Sequence, residues 1–138
     1  MCGAQIMRCL PAVALETDIP YWVTSSSFFR HFDQVDFLRR AVKDVSDAYR
    51  EEWFHLDADG TRRYRIPPVS VRSGKTQFIS GRHRTAVLLK HLARVPLSFH
   101  TREINRADME WIEATVDERI ELTSVIELPD LPIRASLP

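Results

Sequence analysis

Gln77-Phe78-Ile79-Ser80-Gly81-Arg82-His83-Arg84-Thr85 is the stretch whose reading decides the fold. Its first three residues make a short apolar strand, and the pattern from about Ala86 to about Arg94 predicts a helix. A glycine at a strand-to-helix turn lets backbone approach a ligand closely, and the free N–H groups and dipole of the helix start favour an anion. Arg82, His83 and Arg84 crowd the same turn, and a guanidinium offers a planar fork of donors that suits phosphate. Cations at a helix N-terminus oppose its dipole, a local misfit of the kind that marks function. The plain alternative is a solvated first turn behind an ordinary turn glycine. Ser80, Gly81, Arg82, His83, Arg84 and Thr85 are therefore the candidate phosphate-binding segment, with His83 and Arg82 the candidate catalytic side chains.

Upstream, Ile66-Pro67-Pro68 imposes an extended entry, Val69 and Val71 alternate with Ser70 and Arg72, and Ser73-Gly74 turns the chain into Thr76 to Ile79. This is a hairpin that feeds the turn. His55 to Arg65 reads as another hairpin around Asp59-Gly60. Asp57 and Asp59 beside Gly60 hint at a calcium loop, but the further ligand positions and terminal glutamate are missing, so the turn reading holds. Arg62, Arg63 and Arg65, interleaved with Tyr64, are the densest basic patch and a candidate contact for nucleic-acid phosphates, against the simpler reading of a solvated hairpin.

Earlier still, Asp33 is placed to cap a helix over about Gln34 to Trp53, with Phe37 or Leu38, Ala41 or Val42, Val45, Ala48 or Tyr49 and Trp53 as its apolar stripe. Arg40 or Lys43, on the polar face, could reach a nucleotide. The polar run Thr24 to Ser27 reads as a loop, and its hydroxyls could also cap a phosphate, which makes Ser26 a candidate contact. A first strand is expected within Ala12 to Val23. Downstream of the turn helix, Val95 to Phe99 predicts a strand, Asn105 opens a helix to about Leu122, and Leu128-Pro129-Asp130-Leu131-Pro132-Ile133 predicts an extended tail. The order of strand, helix, hairpin, helix, strand and helix is that of an α+β domain with a mixed sheet.

The 138 residues suit one domain, with a core expected over about 12–122 and a tail over 123–138. Lys plus Arg and Asp plus Glu both number 19, so no global charge points to nucleic acid and any such contact needs a local patch. The sequence holds no apolar run of the roughly eighteen residues a span needs, so no membrane partner is expected. Met1 to Leu15 is too weak a pattern for a secretory signal, and Cys2 and Cys9 lack metal spacing, so no metal site and a reducing cytoplasm with free thiols are expected.

Taken together, Ile66-Pro67-Pro68-Val69-Ser70-Val71, Phe78-Ile79-Ser80-Gly81-Arg82-His83-Arg84-Thr85-Ala86 and Val95-Pro96-Leu97 resemble the ParB/sulfiredoxin-like superfamily over about Leu15 to Ile112. The resemblance implies that the turn holds the phosphates of a nucleotide, ATP or CTP, with Gly81, His83 and Arg84 matching the family's Gly, His and Arg. Magnesium would be a helper held mainly by phosphates and water. Arg82 stands where sulfiredoxins carry their catalytic cysteine, and an arginine cannot form the sulfinic phosphoryl and thiosulfinate species, so sulfiredoxin activity is not expected. The partition proteins add a helix-turn-helix domain for which this sequence leaves no room. Relatives with the isolated domain are nucleotidase-like, nuclease-like or kinase-like. A kinase would need an acidic base, for which Glu16, Asp18 and Asp33 are the upstream candidates. The resemblance thus implies an NTPase or phosphoryl-transfer protein. DNA binding or cleavage, or a silent module that docks a protein partner or a second copy, are the alternatives.

Overall fold

Val69 and Val71 are buried while Ser70 and Arg72 between and beyond them are not, the period-two signature of a strand with one face on a core. That strand belongs to a computed structural model that describes residues 6–38 and 47–135. In chain order its elements are β1 (Ile6–Ala12), β2 (Ile19–Thr24), α1 (Ser25–His31), α2 (Gln34–Leu38), β3 (Tyr49–Arg50), a 3-10 turn (Glu51–Trp53), β4 (Phe54–Leu56), β5 (Arg62–Arg65), β6 (Pro68–Arg72), β7 (Lys75–Phe78), α3 (Arg82–Leu89), β8 (Arg94–Phe99), α4 (Arg106–Thr115), β9 (Ile126–Pro129) and β10 (Ile133–Arg134). The class is α+β, as the pattern of elements implies.

Two four-stranded sheets carry the fold, in the orders β2-β8-β6-β7 and β4-β5-β1-β9, with β10 and β3 as a separate pair. β8 lies inside the first sheet, and Val95 through Phe99 are all buried, as expected of a strand covered on both faces. It runs antiparallel to β2 and parallel to β6. Phe28 forms the aromatic centre of the core, 4.9 Å from both Phe32 and Phe37 and 6.1 Å from Phe78. Both expected hairpins form. β4 pairs antiparallel with β5, and Gly60 (φ 88°) turns between them while Asp59 accepts from Thr61 N at 2.9 Å. β6 pairs with β7 across Ser73 (φ 53°) and Gly74 (φ 71°).

Elsewhere the structure corrects the sequence reading. Thr24 to Ser27 is not a loop: Thr24 Oγ1 caps α1 by accepting from Ser27 N at 3.2 Å, so the hydroxyl-rich run is a helix start. Of the helix expected over 34–53, α2 covers Gln34–Leu38, residues 39–46 lie outside the described residues, and Tyr49–Arg50 is not helix but a strand against β10. Tyr49 N donates to Pro132 O at 2.7 Å and its hydroxyl to Pro129 O, so pairing with the chain's end overrides the helical stripe. The last helix keeps its cap, Asn105 Oδ1 accepting from Asp108 N at 2.8 Å, but stops at Thr115. The chain then runs beside β2, with Trp22 N donating to Glu118 O and Ile120 N to Pro20 O. The expected core limits also move. β1 begins at Ile6 and sits inside the second sheet between β5 and β9, and β9 comes from the expected tail. Among the described residues no helix is long and apolar enough to cross a membrane.

Cys9, on β1, is a buried free thiol whose pKa burial pushes from 9.0 up to about 11. A raised acid pKa means that the folded state keeps its proton after the unfolded state has lost it. Its contribution is therefore intact below about pH 9 and is lost as the pH climbs towards about 11, by an amount on the order of 2–3 kcal/mol. Tyr49 and Tyr64, also raised by burial, add to the loss at higher pH. Denaturant midpoints should fall as the pH rises from about 9 to about 11. Cys9→Ala should flatten the first part of that fall, and an equally steep fall in the variant would refute the assignment.

Candidate functional site

β7 ends at Phe78, one further rung is made by Ile79 N to Pro68 O at 2.9 Å, and the chain then swings into α3 through Gly81, the N-cap residue at φ 91°, ψ 18°. Glycine is needed there twice over. The left-handed conformation disfavours any side chain, and a Cβ would stand 2.5 Å from Pro67 Cβ and 2.7 Å from an Arg84 guanidinium nitrogen. Among the described residues, no side chain caps this helix start and its first turn carries no acid, so its leading backbone N–H groups have no side-chain acceptor.

The side chains around the turn divide into those that build it and those that face outward. Thr85 Oγ1 donates to Gly81 O at 3.0 Å, bracing the turn from inside. Arg84 is 8% exposed and donates from Nη1 to Arg65 O at 2.9 Å and from Nη2 to Ser80 Oγ at 3.3 Å, which ties the turn to the end of β5. Burial lowers its pKa, while Tyr64 and Glu52 act in the opposite sense. Arg82 is bound to α2: Nη2 reaches Asp36 Oδ1 at 2.8 Å and Phe78 O at 3.0 Å, and Nε reaches Asp36 O at 3.0 Å. The other Asp36 oxygen accepts from Phe78 N at 2.8 Å. Asp36 and Arg82 thus clamp α2, the end of β7 and the start of α3 together. Arg82 was expected to offset charge on a reacting phosphate; its guanidinium instead serves this clamp. Ser80 and His83 are exposed.

The turn lines a groove of about 650 Å³ together with Glu52 and the half-buried Trp53. Sequence reading placed both at the end of a helix, Trp53 on its core-facing stripe, and so missed them; their signal would have been the tertiary pairing of β3, which no local pattern carries. Of the three acids the sequence offered as a base, Glu16, Asp18 and Asp33, none lines this groove. Asp18 is bound to His100, Asp33 Oδ1 accepts from Val35 N at 3.0 Å and Asp36 N at 3.1 Å as the cap of α2, and Glu16 is exposed. Among the described residues no group of three or more His, Cys, Asp or Glu side chains converges to hold a metal.

The remaining candidates do not gather here. Ser26 lies just after Thr24, which pairs with Arg94 at one end of β8, whereas the turn leaves Phe78, which is level through Val69 with Phe99 at the other end. Arg40 and Lys43 fall outside the described residues. Arg62, Arg63 and Arg65 do not form one patch, because alternation along β5 sends Arg62 to the face of Tyr64 and the other two to the opposite face. Arg63 is ion-paired to Asp57 at 2.9 Å, Arg65 Nε donates to Phe54 O at 3.4 Å, and Arg62 lies 5.7 Å from the Phe54 ring centroid.

Compared with protein-family models, curated proteins and solved structures, the chain gives no match.

Proposed function

We propose that the Gly81 turn binds the phosphates of a nucleotide, ATP or CTP, in the manner the ParB/sulfiredoxin-like resemblance implies. The observation that carries this reading is the uncapped start of α3 behind a glycine pressed against Pro67, opening on a groove with Ser80 and His83 exposed beside it. Backbone N–H groups at the helix start and the Ser80 hydroxyl hold phosphate oxygens, and His83 adds a hydrogen bond or moves a proton in phosphoryl transfer. Arg84 acts from behind by holding Ser80 and the turn in place. Trp53, which lines the same groove, is an aromatic side chain of the kind that packs a nucleobase. Magnesium would ride on phosphate oxygens and water, with Glu52 the carboxylate on the groove wall. The alternative of a DNA-binding or DNA-cleaving protein has less support, since the three β5 arginines are split between faces and partly engaged.

Calorimetric titration with ATP, CTP and GTP, with and without magnesium, tests the proposal. His83→Ala, a surface change, should weaken binding by about tenfold, the loss of one hydrogen bond to a charged group, without moving the melting temperature. Full affinity in His83→Ala and Ser80→Ala together, or no heat with any nucleotide, refutes it. Arg84→Ala is the less useful variant because it disturbs fold and ligand at once.

A further inference from the structure

A second groove, larger at about 990 Å³, lies between the start of α2, the β6–β7 hairpin and the loop that follows β8. His100 lines it. Its backbone N donates to Val69 O at 2.9 Å, and its ring Nδ1 meets Asp18 Oδ1 at 2.5 Å. The Asp18 side chain is fully buried, and its other oxygen accepts from Leu15 N at 3.1 Å. A carboxylate can only accept, so Nδ1 carries the proton toward Asp18 and the ring is held in one orientation with Nε2 as its outer atom. Thr101 Oγ1 donates to Thr17 O at 2.5 Å and ties the same loop down from the next residue. The pair satisfies a buried carboxylate, which would be costly alone, and at the same time fixes the His100 ring at the groove wall.

The charges of the walls are sorted. Asp108 accepts from Ser73 N at 3.1 Å and Gly74 N at 3.0 Å, Asp33 caps α2, and Asp36 holds Arg82, so these acids are occupied in building the walls. Glu103, at φ 62°, is the other wall carboxylate. Arg72, Lys75 and Arg102 are exposed on the same walls, and their side chains make no hydrogen bond or ion pair among the described residues.

We propose that this groove is a second binding site, for a small molecule carrying an oxyanion, a phosphate or a carboxylate. Arg72, Lys75 and Arg102 supply the attraction and His100 Nε2 a directed hydrogen bond, with Asp18 as the positioning residue. The site does not depend on the nucleotide reading of the Gly81 turn.

The test is a titration of the full chain with inorganic phosphate and, in parallel, with citrate, followed by NMR of the histidine ring nitrogens. The His100 signals should shift and saturate with at least one of the two anions, and which one tells phosphate from carboxylate. Arg72→Ala and Lys75→Ala, both surface changes, should each weaken that binding by about tenfold. His83→Ala should leave the His100 titration unchanged, which separates this site from the turn. Asp18→Asn should alter the protonation pattern of the two His100 nitrogens and weaken binding, whereas a merely structural Asp18 would leave the ring pattern as it was. No saturable shift at His100 with either anion, or a shift that Arg72→Ala and Lys75→Ala leave intact, overturns the proposal.

Discussion

Asp36→Ala is expected to lower the unfolding free energy by about 3–5 kcal/mol. The carboxylate is the partner of the Arg82 guanidinium at 2.8 Å, with side-chain exposures of only 16% for Arg82 and 8% for Asp36. Removing it leaves a largely desolvated cation without its counter-charge and strips the acceptor from Phe78 N. Surface ion pairs of similar geometry, such as Arg106 with Glu110 at 3.1 Å, are well exposed and should cost well under about 1 kcal/mol when broken. Chemical denaturation of the two variants side by side gives the comparison. Because Asp36 and Arg82 share one network, Asp36→Ala combined with Arg82→Ala should cost clearly less than the sum of the two single changes. A loss for Asp36→Ala no larger than that for Glu110→Ala would show that the clamp is not what holds α2 to the turn. With the clamp gone, the end of β7 and the first residue of α3 lose their common anchor, so the nucleotide affinity proposed for the turn should fall along with stability.

Gly81→Ala is the second large effect, at about 2–4 kcal/mol. Part of this is the backbone cost of a side chain at φ 91°, and the rest is the clash with Pro67, whose Cβ would lie 2.5 Å from the new methyl group. Gly60→Ala isolates the first part, since φ is 88° there and nothing lies within 4 Å of the added carbon. Gly60→Ala should therefore cost about 1–2 kcal/mol. The difference between the two midpoints measures how closely the turn is packed against the entry to β6. Equal losses would mean that Pro67 or Arg84 yields, and that the turn is more pliant than its contacts indicate. In the folded variant, the nucleotide binding proposed for this turn should be lost, because relief of the clash must move either Pro67 or the Arg84 side chain that holds Ser80.

Much of the local structure is legible in the residues themselves. Asp59-Gly60 and Ser73-Gly74 encode their turns through the backbone freedom of glycine, Asn105 its cap through a side-chain acceptor, and the alternation of Val69 and Val71 its strand. The strand-to-helix turn at Gly81 was legible for the same reason. Each of these signals acts between residues only a few positions apart. β1 was not legible: Ile6 to Ala12 contains Arg8 and Pro11 and has little alternation of its own, and it becomes a strand because β5 and β9 flank it from more than fifty and more than a hundred residues away. Tyr49 likewise leaves its helical stripe to pair with the end of the chain.

The site divides along the same line. From sequence alone come the turn, its glycine and the concentration of basic residues on it. Only the tertiary structure decides which of those bases face a ligand, because a guanidinium goes to whichever acceptor its neighbours bring within reach. Asp36 claims Arg82, Arg65 O claims Arg84, and His83 is left at the surface. The pairing of His100 with Asp18, 82 positions apart, depends on the return of β8 alongside β2, a long-range contact that no spacing along the chain encodes.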